Sequence, residues 1–333
     1  MPQLKRIWLT INPQVAQAWE ALLKQAGLTV DRQVNYTLGL FENGELLATG
    51  SLFGSIIKAV AVAPTHRAEN LLTPIIQGLL DRLDTLQQTH AFVYTKPATS
   101  RYFSALGFQN LVQTGQISLL EYGYPDFNDY LSFLRQHKRP GSAAAIVMNA
   151  DPMTKGHLYL IKQAAQANPT VYVFVLSSHQ AFFTAEQRLA MVKQATATLT
   201  NVVVLPTRGY LVSPATFPSY FLKDQADLNL AKQQALVDAQ LFQYKLAPVL
   251  QINQRYVGTE PHSPVTEIYN QVLKATLAPT LKLQIVPRLM CAGQVISASA
   301  ARRALQTRDF NSLEKLIPQT TINDVKECYD HGN

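Results

Sequence analysis

From residue 143 to 318 the chain alternates short apolar runs with longer amphipathic ones. Runs that read as strands fall at 143–149, 171–177, 201–205, 254–258 and 282–287. Helical patterns fall at 156–167, 184–198, 228–247 and 311–318. Short apolar strands separated by helices of this length predict an α/β domain with a parallel, doubly wound sheet. The first strand, AAAIVM, breaks at Asn149 and Asp151–Pro152. The chain restarts there as a helix, with Thr154, Lys155, Gly156 and His157 in the break.

In an open parallel sheet, ligands bind beyond the carboxyl ends of the strands, which is where 149–157 lies. The following helix brings unpaired N–H groups and a positive dipole end. Gly156 lets another group approach the backbone closely, Thr154 offers a hydroxyl, and His157 offers an imidazole one turn away. Together these are donors for a phosphate. The same residues read equally well as a threonine cap and a surface or core histidine. No Gly-x-Gly-x-x-Gly fingerprint and no Gly-x-x-x-x-Gly-Lys-Ser/Thr loop occurs here.

Residues 1–135 read as a smaller α/β unit. A helix at 14–26 precedes strands near 34–41 and 45–52, joined by Glu42–Asn43–Gly44, a hairpin turn. A strand at 57–64, a helix at about 68–87, a strand at 90–96, a short helix at 100–109 and a strand at 115–122 follow. A helix at 126–137 leads into HKRPGS (137–142), a polar linker with Pro140 and Gly141. The expected domains are therefore 1–139 and 140–333.

The chain has 333 residues, 47% of them hydrophobic and 15% charged, with a net charge of +7. Residues 1–140 carry 12 Lys and Arg against 10 Asp and Glu, and residues 141–333 carry 17 against 12. The basic excess is mostly C-terminal and spread out, which suits an acidic partner and argues against a nucleic-acid tail. Two cysteines, Cys291 and Cys328, make neither a disulfide framework nor a Cys-x-x-Cys knuckle. With no signal peptide pattern and no run long enough to span a membrane, a cytoplasmic location is expected.

Thr154–Lys155–Gly156–His157 resembles the His/Thr-x-Gly-His signature of the adenylyltransferase superfamily, whose members transfer AMP from ATP. Far downstream, ISASAARRAL (296–305) is similar to that superfamily's Ile-Ser-x-Ser/Thr-x-x-Arg segment. More of the chain resembles one family in particular. MNADPMTKGH (148–157), FFTAEQRLAMVK (182–193), SPATFPSYFLK (213–223), VGTEPHSPVTEIYN (257–270) and ISASAARR together resemble the citrate (pro-3S)-lyase ligase family, over almost the whole chain. That resemblance implies a Rossmann-like nucleotidyltransferase domain behind a GNAT-like one. It implies an enzyme that activates acetate with ATP and acetylates the prosthetic-group thiol of the citrate lyase acyl carrier protein. Mg²⁺ would be held mainly through the ATP phosphates. Neither nucleic acid nor membrane is an expected partner.

The same resemblance implies the site. His157, Thr154 and Arg302 would be catalytic. Asn149, Lys155, Gly156, Arg188, Gly258, Glu260, Ser297 and Ser299 would bind the nucleotide. Lys155, at the motif's variable position, would face solvent or reach the triphosphate. Arg188 follows a predicted capping box, Thr184 and Gln187, and lies either near the phosphates or on the surface. Lys223, Tyr269 and Asn270 lie in diagnostic segments without an assignable role. A loop histidine, His262, makes no metal site by itself. In the N-terminal unit, AVAVAP followed by THRAENLLTPII resembles the acyl-CoA pyrophosphate loop of GNAT acetyltransferases. Arg67 is kept, but Asn70 and Leu72 stand where that pattern has glycine and a small residue, so acetyl-CoA binding is not expected. The main alternative is a nucleotidyltransferase acting on a small phosphorylated substrate such as pantetheine phosphate. An N-acetyltransferase with an accessory domain and a non-catalytic scaffold are further ones.

Overall fold

Asn43 and Gly44 both take positive φ, 51° and 85°, the backbone of a two-residue hairpin turn. Glu42 pairs with Glu45 across it. The hairpin joins β2 (Tyr36–Glu42) to β3 (Glu45–Phe53) in a sheet that also contains β1 (Gln3–Ile7), β4 (Ile56–Val62), β5 (His90–Thr95), β6 (Gln109–Gln113) and β7 (Ser118–Gly123). The order is β1-β2-β3-β4-β5-β7-β6. All neighbours are antiparallel except β4 and β5, which pair only at Ile56–Phe92 and Ile57–Val93. Helix α1 (Pro13–Gln25) starts at Asn12, whose side chain accepts from Val15 N, with Pro13 in the first turn. Its Trp19, Leu22 and Leu23 pack with Ile7, Leu46, Ala61 and Ala63. Helix α2 (Leu72–Thr85) packs Ile75, Ile76, Leu79 and Leu83 on Leu38, Leu40, Leu47 and Ile57. A short helix, α3 (Pro97–Ser104), links β5 to β6.

The computed structural model describes residues 1–177, 181–218, 227–259, 263–278, 280–291 and 293–330, the last five as backbone only. It divides into two compact units, Met1–Phe127 and Asn128–Asn333. Helix α4 (Phe127–Gln136) thus opens the second unit, whereas the sequence-based division keeps it in the first. Two strands, β1 and β6, were not anticipated. The last strand expected here, at 115–122, is β7, an interior strand, and β6 forms the edge.

The second unit carries a parallel sheet of β8 (Ala143–Met148), β9 (Val171–Val175), β10 (Val202–Pro206), β11 (Ile252–Gly258) and β12 (Lys282–Val286), in the order β10-β9-β8-β11-β12. The order reverses between β8 and β11, so the crevice of this sheet opens beyond the ends of those two strands. One face is covered by α5 (Lys155–Ala167), α6 (Ala185–Ala195) and three later helices, α9 (Ala298–Gln306), α10 (Phe310–Leu316) and α11 (Gln319–Asp330). Ile161, Ala164, Met191, Val192, Ala301, Leu305 and Leu313 meet Ile146, Met148, Val173 and Val175 there. Burying each large apolar side chain contributes about 1.5–3 kcal/mol relative to exposure, so this layer outweighs any propensity of the helices themselves. The other face holds α7 (Leu228–Leu241) and α8 (Pro264–Leu277), which pack against each other.

The helix expected over 228–247 runs on to Leu250, but its α turns are interrupted. A π turn spans Phe242–Leu246, with Ala247 N bonded to Phe242 O, and one more α turn follows at Ala247–Leu250. Pro248 has no N–H to give to an i−4 carbonyl, which accounts for the break. No described helix is long and apolar enough to cross a membrane.

Candidate active site

Strand β8 delivers the chain to Asn149 at the sheet's crevice. Ala150 then sits at φ 51°, a left-handed conformation that costs a residue with a Cβ about 1–2 kcal/mol. The loop is pinned by Asp151, which is almost fully buried. Its Oδ1 accepts from Phe183 N and its Oδ2 from Phe182 N, each at 2.9 Å. Thr154 caps α5. Its hydroxyl accepts from His157 N at 3.2 Å, and the His157 Nδ1 accepts from Thr154 N at 3.1 Å, a capping box with histidine in the place of the usual Glu or Gln. Because Nδ1 takes that bond, the neutral ring carries its proton on Nε2. Burial, and after it the Arg288 cation, push the His157 pKa down to about 4. The half-buried ring is therefore an uncharged donor at neutral pH.

The downstream motif arrives at the same place. Ser297 caps α9, accepting from Ala300 N at 3.1 Å. A Cβ placed on Gly156 would lie 3.3 Å from Ile296 O and 3.5 Å from Thr154 Oγ1, so the glycine is where the two motifs touch. Arg302 reaches back across the crevice. Its Nη1 donates to Asp151 O and lies 3.4 Å from Asp151 Oδ2, and its Nη2 donates to Ser299 Oγ at 3.1 Å. Arg303, one residue on, is exposed.

The remaining sequence-derived residues fall as follows. Arg188 is 0% exposed, not on the surface. Its Nη1 donates to Asn149 Oδ1 at 2.6 Å and Asn149 O at 3.0 Å, and its Nε to Phe183 O at 3.2 Å. Burial lowers its pKa against the opposing pull of Asp151 and Glu186. The capping box of Thr184 and Gln187 that starts its helix is present. Lys155 Nζ donates to Glu314 O at 2.7 Å, at the end of α10. Gly258 ends β11, and its carbonyl accepts from Asn270 Nδ2 at 3.3 Å. Glu260, Lys223 and His262 lie outside the described residues. Tyr269 is buried on the far face, where it donates to Asp238 Oδ2 and accepts from Arg255 Nη2 at 2.7 Å. Burial raises the pKa of both Asp238 and Tyr269.

Sequence reasoning passed over Asp151 and Arg288. Asp151 is visible inside the first motif, but its partners at 182–183 and 302 are not. Arg288 belongs to no motif. Its backbone N donates to Thr259 Oγ1 at 3.3 Å and its Nε to Thr259 O at 2.6 Å. Among the described residues no group of three or more His, Cys, Asp or Glu could hold a metal ion.

Two helix N-termini converging at the switch point of a parallel sheet define a nucleotidyltransferase-like α/β protein. Residues 143–325 match the family model described as citrate lyase ligase C-terminal domain. The chain belongs to the citrate lyase ligase family. It is 32% identical over 327 residues to citrate (pro-3S)-lyase ligase of Klebsiella pneumoniae, covering 96% of this chain and 95% of that one. It is 33% identical to the protein of that name from Escherichia coli, covering 98% and 94%. Similar solved structures include the ribosomal-protein-S18-alanine N-acetyltransferase from Escherichia coli, at 13% identity and a TM-score of 0.31 over 37% of this chain and 94% of that one. An acyl-CoA N-acyltransferase from Pseudomonas aeruginosa is similar at 14% identity and a TM-score of 0.34, over 37% and 100%.

Proposed function

We propose that the crevice between β8 and β11 makes acetyl adenylate from acetate and ATP, and that the chain then acetylates the prosthetic-group thiol of the citrate lyase acyl carrier protein. Membership of the ligase family supplies the reaction class, an ATP-dependent acid–thiol ligation. The observation that carries the site is the meeting of the two motifs at Gly156, with Arg302 bonded to the Asp151 loop.

A carboxylate oxygen of acetate attacks the α-phosphorus. The bond from that phosphorus to the bridging oxygen breaks, and diphosphate leaves. The carrier's thiolate then attacks the acetyl carbon, the bond to the AMP oxygen breaks, and the thiol proton goes to solvent. The protein's part is alignment and neutralisation of growing charge. The His157 Nε2–H and the open N–H groups of α5 donate to phosphate oxygens, with Thr154 fixing the ring. Ser297, Ser299 and Arg302 hold the β- and γ-phosphates. Asn149, held by Arg188, and Gly258 border the nucleotide, and Gly156 admits it to the backbone. Lys155 and Glu260 complete the same wall in this reading. Mg²⁺ would be held mainly through the ATP phosphates and would neutralise their charge.

The test is ATP–diphosphate exchange across a panel of short acids, followed by mass spectrometry of the deacetylated carrier. Acetate-dependent exchange and one acetyl mass on the carrier are expected. Transfer of AMP to a phosphopantetheine-like molecule, with the carrier unmodified, would favour the nucleotidyltransferase alternative.

A further inference from the structure

We propose that Arg288 is a phosphate-binding residue of the ATP site, held in place by Thr259 at the mouth of the crevice. The proposal rests on the ATP-dependent reading above.

Three contacts place Arg288. Thr259, the residue after β11, accepts from the Arg288 backbone N and from its Nε, and itself donates N–H to Val286 O at the end of β12. The bond through Nε fixes the plane of the guanidinium. A Cβ on Gly258 would lie 3.9 Å from Arg288 Cγ, so the side chain runs across the carboxyl end of β11, one side of the switch point. The next residue, Leu289, accepts from Ile296 N at 3.0 Å, and Ile296 O is the atom that abuts Gly156. Arg288 is thus one residue from the strand of chain packed on the N-terminus of α5. Its positive charge is felt there, because it is the second cause, after burial, of the low His157 pKa.

Part of the positive charge already in the site is bound to protein groups. A triphosphate carries several negative charges. Arg302 is ion-paired with Asp151, Lys155 is turned to the Glu314 carbonyl, and His157 is neutral. A guanidinium suits phosphate because it offers several donors in a fixed plane. Arg288 brings that charge to the carboxyl end of β11 without belonging to either signature.

The experiment titrates the full chain with ATP, inorganic triphosphate and adenosine, as wild type and as Arg288→Gln and Arg288→Lys. The glutamine variant keeps a side-chain donor for Thr259 O and removes the charge. It should bind ATP and triphosphate roughly 10- to 100-fold more weakly, with adenosine binding unchanged. The lysine variant should recover most of the loss. In the glutamine variant the His157 titration, followed by NMR, should rise above about 4 and stay below the ordinary histidine value. Wild-type triphosphate affinity in the glutamine variant, equal loss for all three ligands, or an unmoved His157 titration would each overturn the proposal. If the wild type binds ATP but acetate drives no exchange, the ligase reading fails and the assignment of Arg288 stands on the titrations. If the wild type binds neither ATP nor triphosphate, both fall.

Discussion

The bond that caps helix α5 also decides the chemistry of His157. A Gln at this position would close the same capping box without a titrating ring, which makes His157→Gln an informative variant. It should fold as the wild type does at pH 7.5 and lose about a hundredfold in acetate-dependent exchange, as enzymes do when one transition-state donor is removed. Its stability should also respond differently to acid. The folded ring titrates at about 4 and the unfolded one near 6.5. Between these values the unfolded chain binds a proton that the folded chain refuses, so stability is full above pH 6.5 and declines as pH falls to 4. For a half-buried ring this is on the order of 1 kcal/mol. Urea melts at pH 7.5 and 4.5 should show the glutamine variant losing less stability than the wild type. A second contrast lies at the neighbouring arginines. Arg302→Ala should lower kcat/KM for ATP about a hundredfold, because Arg302 bonds the Asp151 loop and Ser299. Arg303→Ala, on exposed helix surface, should stay within about twofold. Equal small losses would remove Arg302 from the site.

At the scale of elements, the parallel sheet was legible because β8 and β9 lie in its interior and are apolar on both faces. The two motifs were legible because each cap is written locally, Thr154 three residues before His157 and Ser297 three before Ala300. What the sequence hid was either polar or non-local. β6, with a single buried residue in Gln109–Gln113, looks like a loop, and only its pairing with β7 makes it a strand. Helix α8 begins at Ser263–Pro264, which reads as a turn as readily as an N-cap followed by a first-turn proline. The roles of Asn270 and Tyr269 depend on Gly258, Arg255 and Asp238, which local pattern does not connect. In the N-terminal unit the departure at the acyl-CoA loop has a structural counterpart. α2 starts only at Leu72, the Asn70 side chain accepts from Thr73 Oγ1 at 2.7 Å, and Leu72 packs against the core. No glycine leaves amides open to a diphosphate there. Calorimetry of the full chain with acetyl-CoA should find no binding at micromolar concentrations. A micromolar Kd, about −8 kcal/mol, would restore an acetyltransferase role.

For the molecule as a whole, the net charge of +7 matters for the step that needs a protein partner. If docking of an acidic carrier is steered by this charge, raising salt from 50 to 500 mM should lower carrier acetylation about tenfold. Exchange of diphosphate, which needs no carrier, should change less than about twofold. Parallel loss in both assays would trace the salt effect to ATP binding instead. Arg302 and Asp151 are 151 residues apart in the chain. The ribosome therefore finishes the whole parallel sheet before the residue that closes its crevice has been translated. A chain that stops short of α9 carries the first motif intact but leaves Ile146, Met148, Val173 and Val175 without the cover of Ala301, Leu305 and Leu313. In the proposed reading it also lacks Ser299 and Arg302, so a chain terminated there should not consume ATP.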